Sequence, residues 1–340
     1  SQKDSRFKEI SQYYLVECRF MQEDYQYVVS NAPKMMASCP QDRKQRLARI
    51  ISESYLVLGD TKAAHEYYQS VSTEAPKTRS DFFYAGSLLY AIGDFKGAIE
   101  NYTNMKDRSD SLGQIANYQM AYSHIRTKNK VAAMEAFKSA SATSYDDQIA
   151  EDAFFNYAKL AFDLNDDASA FTDYIKKYSD KDKGPLIYNY MAVAALRNRD
   201  YDGAIENYDK IEDLDNDMVL NYMKANYLRA GELIKEKAYR KAITHLKTAA
   251  YFSDKRSGFN QLTRYWLAES HFRNSDYKES RALYLDLYNT SALYGMQESM
   301  LLSYNIAYCD YKSENYHEAI RWFNTYLSEK NGQYRKEAME

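Results

Sequence analysis

Five histidines, three cysteines and many carboxylates are the side chains here that could do chemistry. His65-Glu-Tyr-Tyr-Gln69 and His317-Glu-Ala-Ile-Arg321 each begin like the helix of a zinc protease. Both lack the second histidine one turn on, so neither closes a zinc site. His124, His245 and His271 read, like these two, as structural residues. Cys18, Cys39 and Cys309 lie far apart and make neither a metal spacing nor a disulfide framework. The acidic runs Asp163–Asp167 and Asp213–Asp217 lack the twelve-residue ligand spacing of a calcium loop and read as solvated turns. No G-x-S-x-G elbow, Walker loop or G-x-G-x-x-G occurs, and Gly93 and Gly97 serve helix packing rather than a phosphate. The sequence therefore predicts no catalytic residue, no metal and no cofactor.

What these residues sit on is a repeat. Gly86–Tyr102, GSLLYAIGDFKGAIENY, reads as the end of one helix, a turn at Gly93-Asp94 and the start of a second helix. Its phrase Gly97-Ala-Ile-Glu-Asn-Tyr102 returns as Gly203-Ala-Ile-Glu-Asn-Tyr208. Aligning on the alanine gives nine units, anchored at Val28, Ala64, Ala98, Ala133, Ala170, Ala204, Ala242, Ser280 and Ala319. The separations are 36, 34, 35, 37, 34, 38, 38 and 39 residues, the sign of a helical solenoid. Twelve residues before each anchor is a second tight position (Val16, Ser52, Gly86, Ala121, Ala158, Ala192, Ala230, Ala268, Ala307). Four residues after most anchors is a bulky one, Tyr68, Tyr102, Phe137, Tyr174, Tyr208, Leu246, Tyr284 or Phe323. Small against large on one helical face lets the two helices of a unit interlock.

Four residues before the anchor, eight of nine units carry Asp or Asn: Asp24, Asp60, Asp94, Asn129, Asp166, Asp200, Asp276 and Asn315, with Ala238 the exception. Such side chains cap the free N–H groups that open a helix. Pro40 and Pro76 fall where a second helix should stop. The units run 7–40, 45–78, 79–112, 114–148, 151–183, 185–217, 219–257, 261–295 and 300–332, one array over 7–332. Wider loops are expected at 213–217 and 253–258, and 333–340 reads as the start of a further, truncated helix of a longer array.

The bulk numbers fit a mostly helical chain, with 4 prolines and 11 glycines in 340 residues. Lys and Arg total 45 against 48 Asp and Glu, a formal charge of −3 that argues against nucleic acid as partner. The longest apolar run, Met191–Leu196, is far short of the roughly 20 residues of a membrane span. The polar opening Ser1–Arg6 is not a signal peptide, which leaves a cytoplasmic protein or one whose leader has been removed. Tyrosine, at 35 copies, is the unusual feature of the composition.

These anchors resemble the tetratricopeptide repeat family, best through Phe82, Gly86, Gly93, Phe95, Ala98 and Tyr102, and again through Tyr188, Ala192, Tyr201, Ala204 and Tyr208. Thr61, Lys130 and Asp167 at the turn aromatic, and the few prolines, depart from the family's pattern. The resemblance implies an all-α, right-handed superhelical solenoid of antiparallel helix pairs, about nine repeats long. The tyrosine-rich texture, as in Ala150–Leu160, is similar to long tetratricopeptide proteins of the Gram-negative cell envelope, which implies a periplasmic or outer-membrane-associated setting.

In that family the first helix of each unit lines the concave face, through residues fifteen and eight before the anchor. Here these positions, with two of those eleven before it, nominate Phe83, Tyr90, Tyr118, Tyr122, Phe155, Phe162, Tyr227, Tyr265, Phe272, Tyr304, Tyr308 and Tyr311. Tyr and Phe give large contact area at little rotamer cost. The tyrosine hydroxyls, each wanting water or a partner, favour recognition over packing. Chaperone-binding members grip terminal carboxylates with cations in this region, but Arg49 and Lys159 lie three units apart, so no carboxylate clamp is expected. The expected role is a non-catalytic scaffold for a protein or peptide segment. A glycan-binding envelope protein using the same rings is the alternative.

Overall fold

The computed structural model describes residues 2–71, 77–179, 182–329 and 338. By its internal contacts the chain divides into two compact units, Ser1–Tyr178 and Ser179–Glu340. Among the described residues every regular element is helical. The first unit holds α1 (Gln2–Met21), α2 (Tyr25–Asn31), α3 (Gln41–Val57), α4 (Thr61–Gln69), α5 (Arg79–Ala91), α6 (Phe95–Asn104), α7 (Ser111–Arg126), α8 (Lys130–Ser141), α9 (Asp147–Asn165) and α10 (Ser169–Tyr178). The second holds α11 (Gly184–Arg197), α12 (Tyr201–Tyr208), α13 (Asn216–Lys235), α14 (Tyr239–Phe252), α15 (Gly258–Arg273), α16 (Tyr277–Asn289), α17 (Leu302–Lys312) and α18 (Tyr316–Ser328). Consecutive helices pair, and within each unit successive pairs stack on one another.

The turn inside each pair is the repeating device. In eight of the nine turns the fifth residue before the anchor is left-handed: Glu23, Gly59, Gly93, Lys128, Arg199, Lys237, Ser275 and Glu314, with φ between 59° and 86°. The next residue sends its N–H back five residues, as in Asp94 N to Leu89 O and Asn129 N to His124 O, both 2.8 Å, which closes the first helix. In five turns that same residue also opens the second helix with its side chain. Asp24, Asp60, Asp94, Asn129 and Asp200 accept from the N–H three residues on, at 3.0–3.2 Å.

Three of the eight expected caps do something else. Asp276 accepts from Asn274 Nδ2 at 2.8 Å and pairs with His271 Nδ1 at 3.1 Å. Asn315 turns its amide towards Asp310, 3.4 Å away. Asp166 is itself the left-handed residue that ends α9, with φ of 55°. Its neighbour Asp167 takes the Ser169 N–H at 2.9 Å, and α10 starts later relative to its anchor than its counterparts do. Two adjoining aspartates have the same capping chemistry, so the sequence does not show which of them opens the helix. Pro40 does sit at a boundary, immediately before α3. Pro76 and the reading of 333–340 as a further helix fall outside the described residues, Ala338 apart. The widened spacing late in the chain comes from the 20-residue α13, the 14-residue α14 and the segment 290–301, which includes a short 3-10 helix over Gln297–Leu301. It does not come from a wide loop at 253–258, where only five residues join α14 to α15.

The small–large interlock is realised. All nine anchors and all nine partners twelve residues earlier are buried. Tyr102, Phe137, Tyr174, Tyr208, Leu246 and Tyr284 are each at most 2% exposed, while Tyr68 and Phe323 are half-buried. Gly86 shows why the partner must be small, since a Cβ there would lie 2.6 Å from Tyr102 Cε1. That ring cannot swing aside, because Gln119 Oε1 and Ser87 Oγ hold its hydroxyl.

Two outcomes are expected in urea or thermal melts. Gly86→Ala should destabilise by about 1–3 kcal/mol through overpacking against Tyr102. Lys237→Gly, which relieves a left-handed lysine at φ 61°, should stabilise by about 0.5–1 kcal/mol. A destabilising Lys237→Gly would mean that the turn is not strained.

Candidate functional site

The residues nominated for the groove separate into two kinds. At the position fifteen before the anchor, Phe83, Phe155 and Tyr265 are 6–8% exposed and belong to the core. Phe155 packs on Phe171 and Tyr174, and Tyr265 on Trp266 and Tyr284. Tyr118 is half-buried and donates to Asp152 Oδ2 of the following pair at 2.8 Å. Tyr122, eleven before the anchor, donates to the same oxygen at 3.1 Å, and Asn156 Nδ2 adds a third bond at 2.8 Å. The hydroxyls expected to call for an external partner thus have one inside the fold. The Tyr118 hydroxyl is pushed far above the usual tyrosine range by burial and by bonding within this cluster.

The position eight before the anchor is more open. Tyr90 and Phe272 are half-buried and Tyr311 is 49% exposed, while Phe162 alone of the nominated set here is buried. Four of the rings at this position stand edge-on against the aromatic five residues later, across the turn. The pairs are Phe20–Tyr25, Tyr90–Phe95, Phe272–Tyr277 and Tyr311–Tyr316, with centroids 5.4–6.0 Å apart. Both positions were legible as aromatic, but not that they meet.

The C-terminal unit brings the remaining residues together. Tyr304 and Tyr308 lie 5.1 Å apart on α17, Tyr308 reaches Tyr311 at 6.1 Å, and Phe272 of α15 approaches Tyr308 at 6.3 Å. Beside them is a cavity of about 360 Å³ walled by Tyr265, Trp266, Glu269, Phe272, Arg273, Tyr284, Leu301, Tyr304, Asn305 and Tyr308. A second, of about 470 Å³, is walled by Arg199, Tyr201, Tyr227, Leu228, Gly231, Glu232, Ile234, Lys235, Leu246 and Trp266. Trp266 borders both. It was missed because it stands one residue beyond the groove position held by Tyr265. Only its neighbourhood to that tyrosine could have pointed to it.

Charge at the first cavity is internally matched. Glu269 accepts from Arg273 Nε at 2.7 Å and from Tyr284 OH at 2.8 Å, and burial, then Glu269, raises the Tyr284 hydroxyl well above its ordinary value. Among the described residues no three His, Cys, Asp or Glu side chains gather as metal ligands. His65 contacts Gln69, His271 pairs with Asp276, and His245 meets Asn226 Oδ1 at 2.9 Å, its imidazole held below the usual range by burial. No described helix is long and apolar enough to cross a membrane.

The left-handed turn, the buried alanines and the interlocking ring recur pair after pair. The chain is an array of repeated antiparallel helix pairs. No protein-family model matches the chain, and no curated protein does. Solved structures similar to it include the C-terminal part of a TPR repeat-containing protein from Cytophaga hutchinsonii, at 18% identity over 71% of this chain and 95% of that one, with a TM-score of 0.40. A tetratricopeptide repeat protein from Parabacteroides merdae is 13% identical over 75% and 97%, with a TM-score of 0.39. The TPR2AB domain of yeast Sti1, solved as a complex with pHSP90, is 12% identical over 81% and 98%, with a TM-score of 0.40.

One carboxyl in the N-terminal unit is poised to titrate. Glu53 of α3 is 7% exposed beside a cavity of about 30 Å³ that Arg49, Tyr68, Asp81 and Tyr84 also line. Asp81 takes Arg49 Nη1 at 2.9 Å and the Thr78 N–H at 2.7 Å. Burial and then the Asp81 charge push the Glu53 carboxyl up to about 8, against the pull of Arg46 and Arg49. Folded chains therefore keep a proton that unfolded chains release, from the ordinary value of 4.5 up to about 8. Stability should fall as pH rises through that window. Urea midpoints of Glu53→Gln should show less of this fall than the parent; parallel slopes for the two would remove Glu53 as the cause.

Proposed function

We propose that the chain is a non-catalytic scaffold that binds a protein or peptide segment, with the aromatic surface of the C-terminal unit as its contact. The observation that carries this reading is the pair of cavities on either side of Trp266. Of the nominated groove residues, Tyr227, Phe272, Tyr304, Tyr308 and Tyr311 serve this surface, joined by Tyr201 and Trp266. Rings of this kind concentrate binding free energy where they are half-buried in a packed setting and still reach a partner. Tyr90, Tyr118 and Tyr122 form a lesser patch in the N-terminal unit, their hydroxyls already engaged at Asp152 in two cases. The proposed setting, the Gram-negative cell envelope, rests on the tyrosine-rich texture of the chain.

A glycan ligand is the second reading, and Trp266 is what favours it, since an indole face in a cavity wall also suits a sugar ring. A partner captured from an envelope fraction and then titrated separates the two readings when a glycan array is run alongside. Tyr308→Ala combined with Tyr311→Ala should weaken the protein partner by about 2 kcal/mol or more, roughly thirtyfold. The melting midpoint should move little, because Tyr311 is 49% exposed and Tyr308 half-buried. Unchanged affinity in this variant would refute the surface.

A further inference from the structure

Nine glycines have described surroundings, and eight of them have a local reason to lack a side chain. Gly59, Gly93 and Gly295 take left-handed backbone, at φ 80–86°. A Cβ on Gly86, Gly97, Gly113, Gly203 or Gly258 would stand 2.2–3.1 Å from a neighbouring heavy atom. Gly231 has neither reason. It lies inside α13, and a Cβ there would meet nothing within 4 Å. Glycine in a helix interior is disfavoured against alanine, so neither folding nor packing accounts for it. Every other repeat carries a side chain at this place, eleven residues before the anchor.

What the glycine leaves is room in the wall of the 470 Å³ cavity, beside Tyr227, Ile234 and Trp266. The charges at this cavity are unequal in their pairing. Glu232 is held by Arg229 at 3.1 Å, whereas Arg199 and Lys235 have no acidic partner among the described residues. We infer that this cavity receives one bulky apolar side chain of a bound peptide, that Gly231 is kept bare to admit it, and that an acidic residue beside that side chain pairs with Arg199 and Lys235. This rests on the peptide-binding reading of the C-terminal unit.

The test uses the full chain, labelled, on an array of immobilised short peptides. These are random except for a central Leu, Phe or Ser flanked by Asp or by Lys. The signal should be highest for Leu or Phe between Asp residues. Gly231→Leu, which fills the cavity, should lower that signal about tenfold or more. Gly231→Ala should raise the melting midpoint while still lowering the signal several-fold, so it carries the test if the leucine variant fails to fold. Arg199→Ala with Lys235→Ala should abolish the preference for Asp flanks and keep that for Leu or Phe. A wild-type signal blind to the central residue, or one that Gly231→Leu and Gly231→Ala leave unchanged, overturns the pocket. If the signal survives those changes but falls in Tyr308→Ala, the surface stands without the pocket. If it survives in all three, or a glycan array binds instead, both readings fall.

Discussion

Everything in this fold hangs on a left-handed residue followed by an acid or amide. The first reverses the chain, and the second is shared, its N–H finishing one helix and its side-chain oxygen starting the next. Because both jobs fall on adjacent residues, the two helices come out antiparallel and close. That closeness is what favours alanine, glycine or serine at two positions twelve residues apart, valine standing at both only in the first repeat. It also brings the aromatic eight before the anchor onto the aromatic three before it. In the C-terminal unit Ala238, Asp276 and Asn315 make no side-chain cap, yet their N–H groups still return to Leu233, His271 and Asp310. The helix-ending bond is therefore the more regular half of the device, and the cap an addition to it.

Local chemistry of this sort is written in short stretches of sequence, which is why the period, the pairing and the buried anchors could all be read in advance. The outcome for the groove was different. A helical face is visible as a spacing, but which part of it meets the next pair is decided by residues some thirty positions away. Tyr118 illustrates the point, since its type and spacing suited a binding surface until Asp152 supplied a partner from the following pair. Phe83, Phe155, Phe162 and Tyr265 met the same fate through burial alone. Trp266 went the other way, because a register built on fixed offsets has no place for the residue next door. Of the three turns whose cap was misread, the one at Asp166 contains two adjoining aspartates that compete for one role.

Tyrosine at the position four past the anchor has a physical explanation in this arrangement. A ring four residues past the anchor fills the space over a small residue, and its hydroxyl then reaches a polar group on a first helix. Tyr208 bonds Asn189 at 3.4 Å and Tyr284 bonds Glu269 at 2.8 Å, while leucine or phenylalanine, found at other repeats, gives the packing without the bond. Burial pushes the Tyr208 hydroxyl up to about 12, which keeps it a neutral donor throughout the physiological range.

The polar links between successive pairs share a pattern with a mechanical consequence. Arg49 reaches forward to Asp81, Arg79 to Asp110, Tyr118 to Asp152 and Arg281 to Asp310. Each joins a residue to the pair after its own, like teeth on a zip. Peeling away an outer pair within a unit would strand a half-buried group on the one left behind. Fraying within a unit is thus discouraged tooth by tooth, since the outer pair cannot leave without breaking the link that holds it.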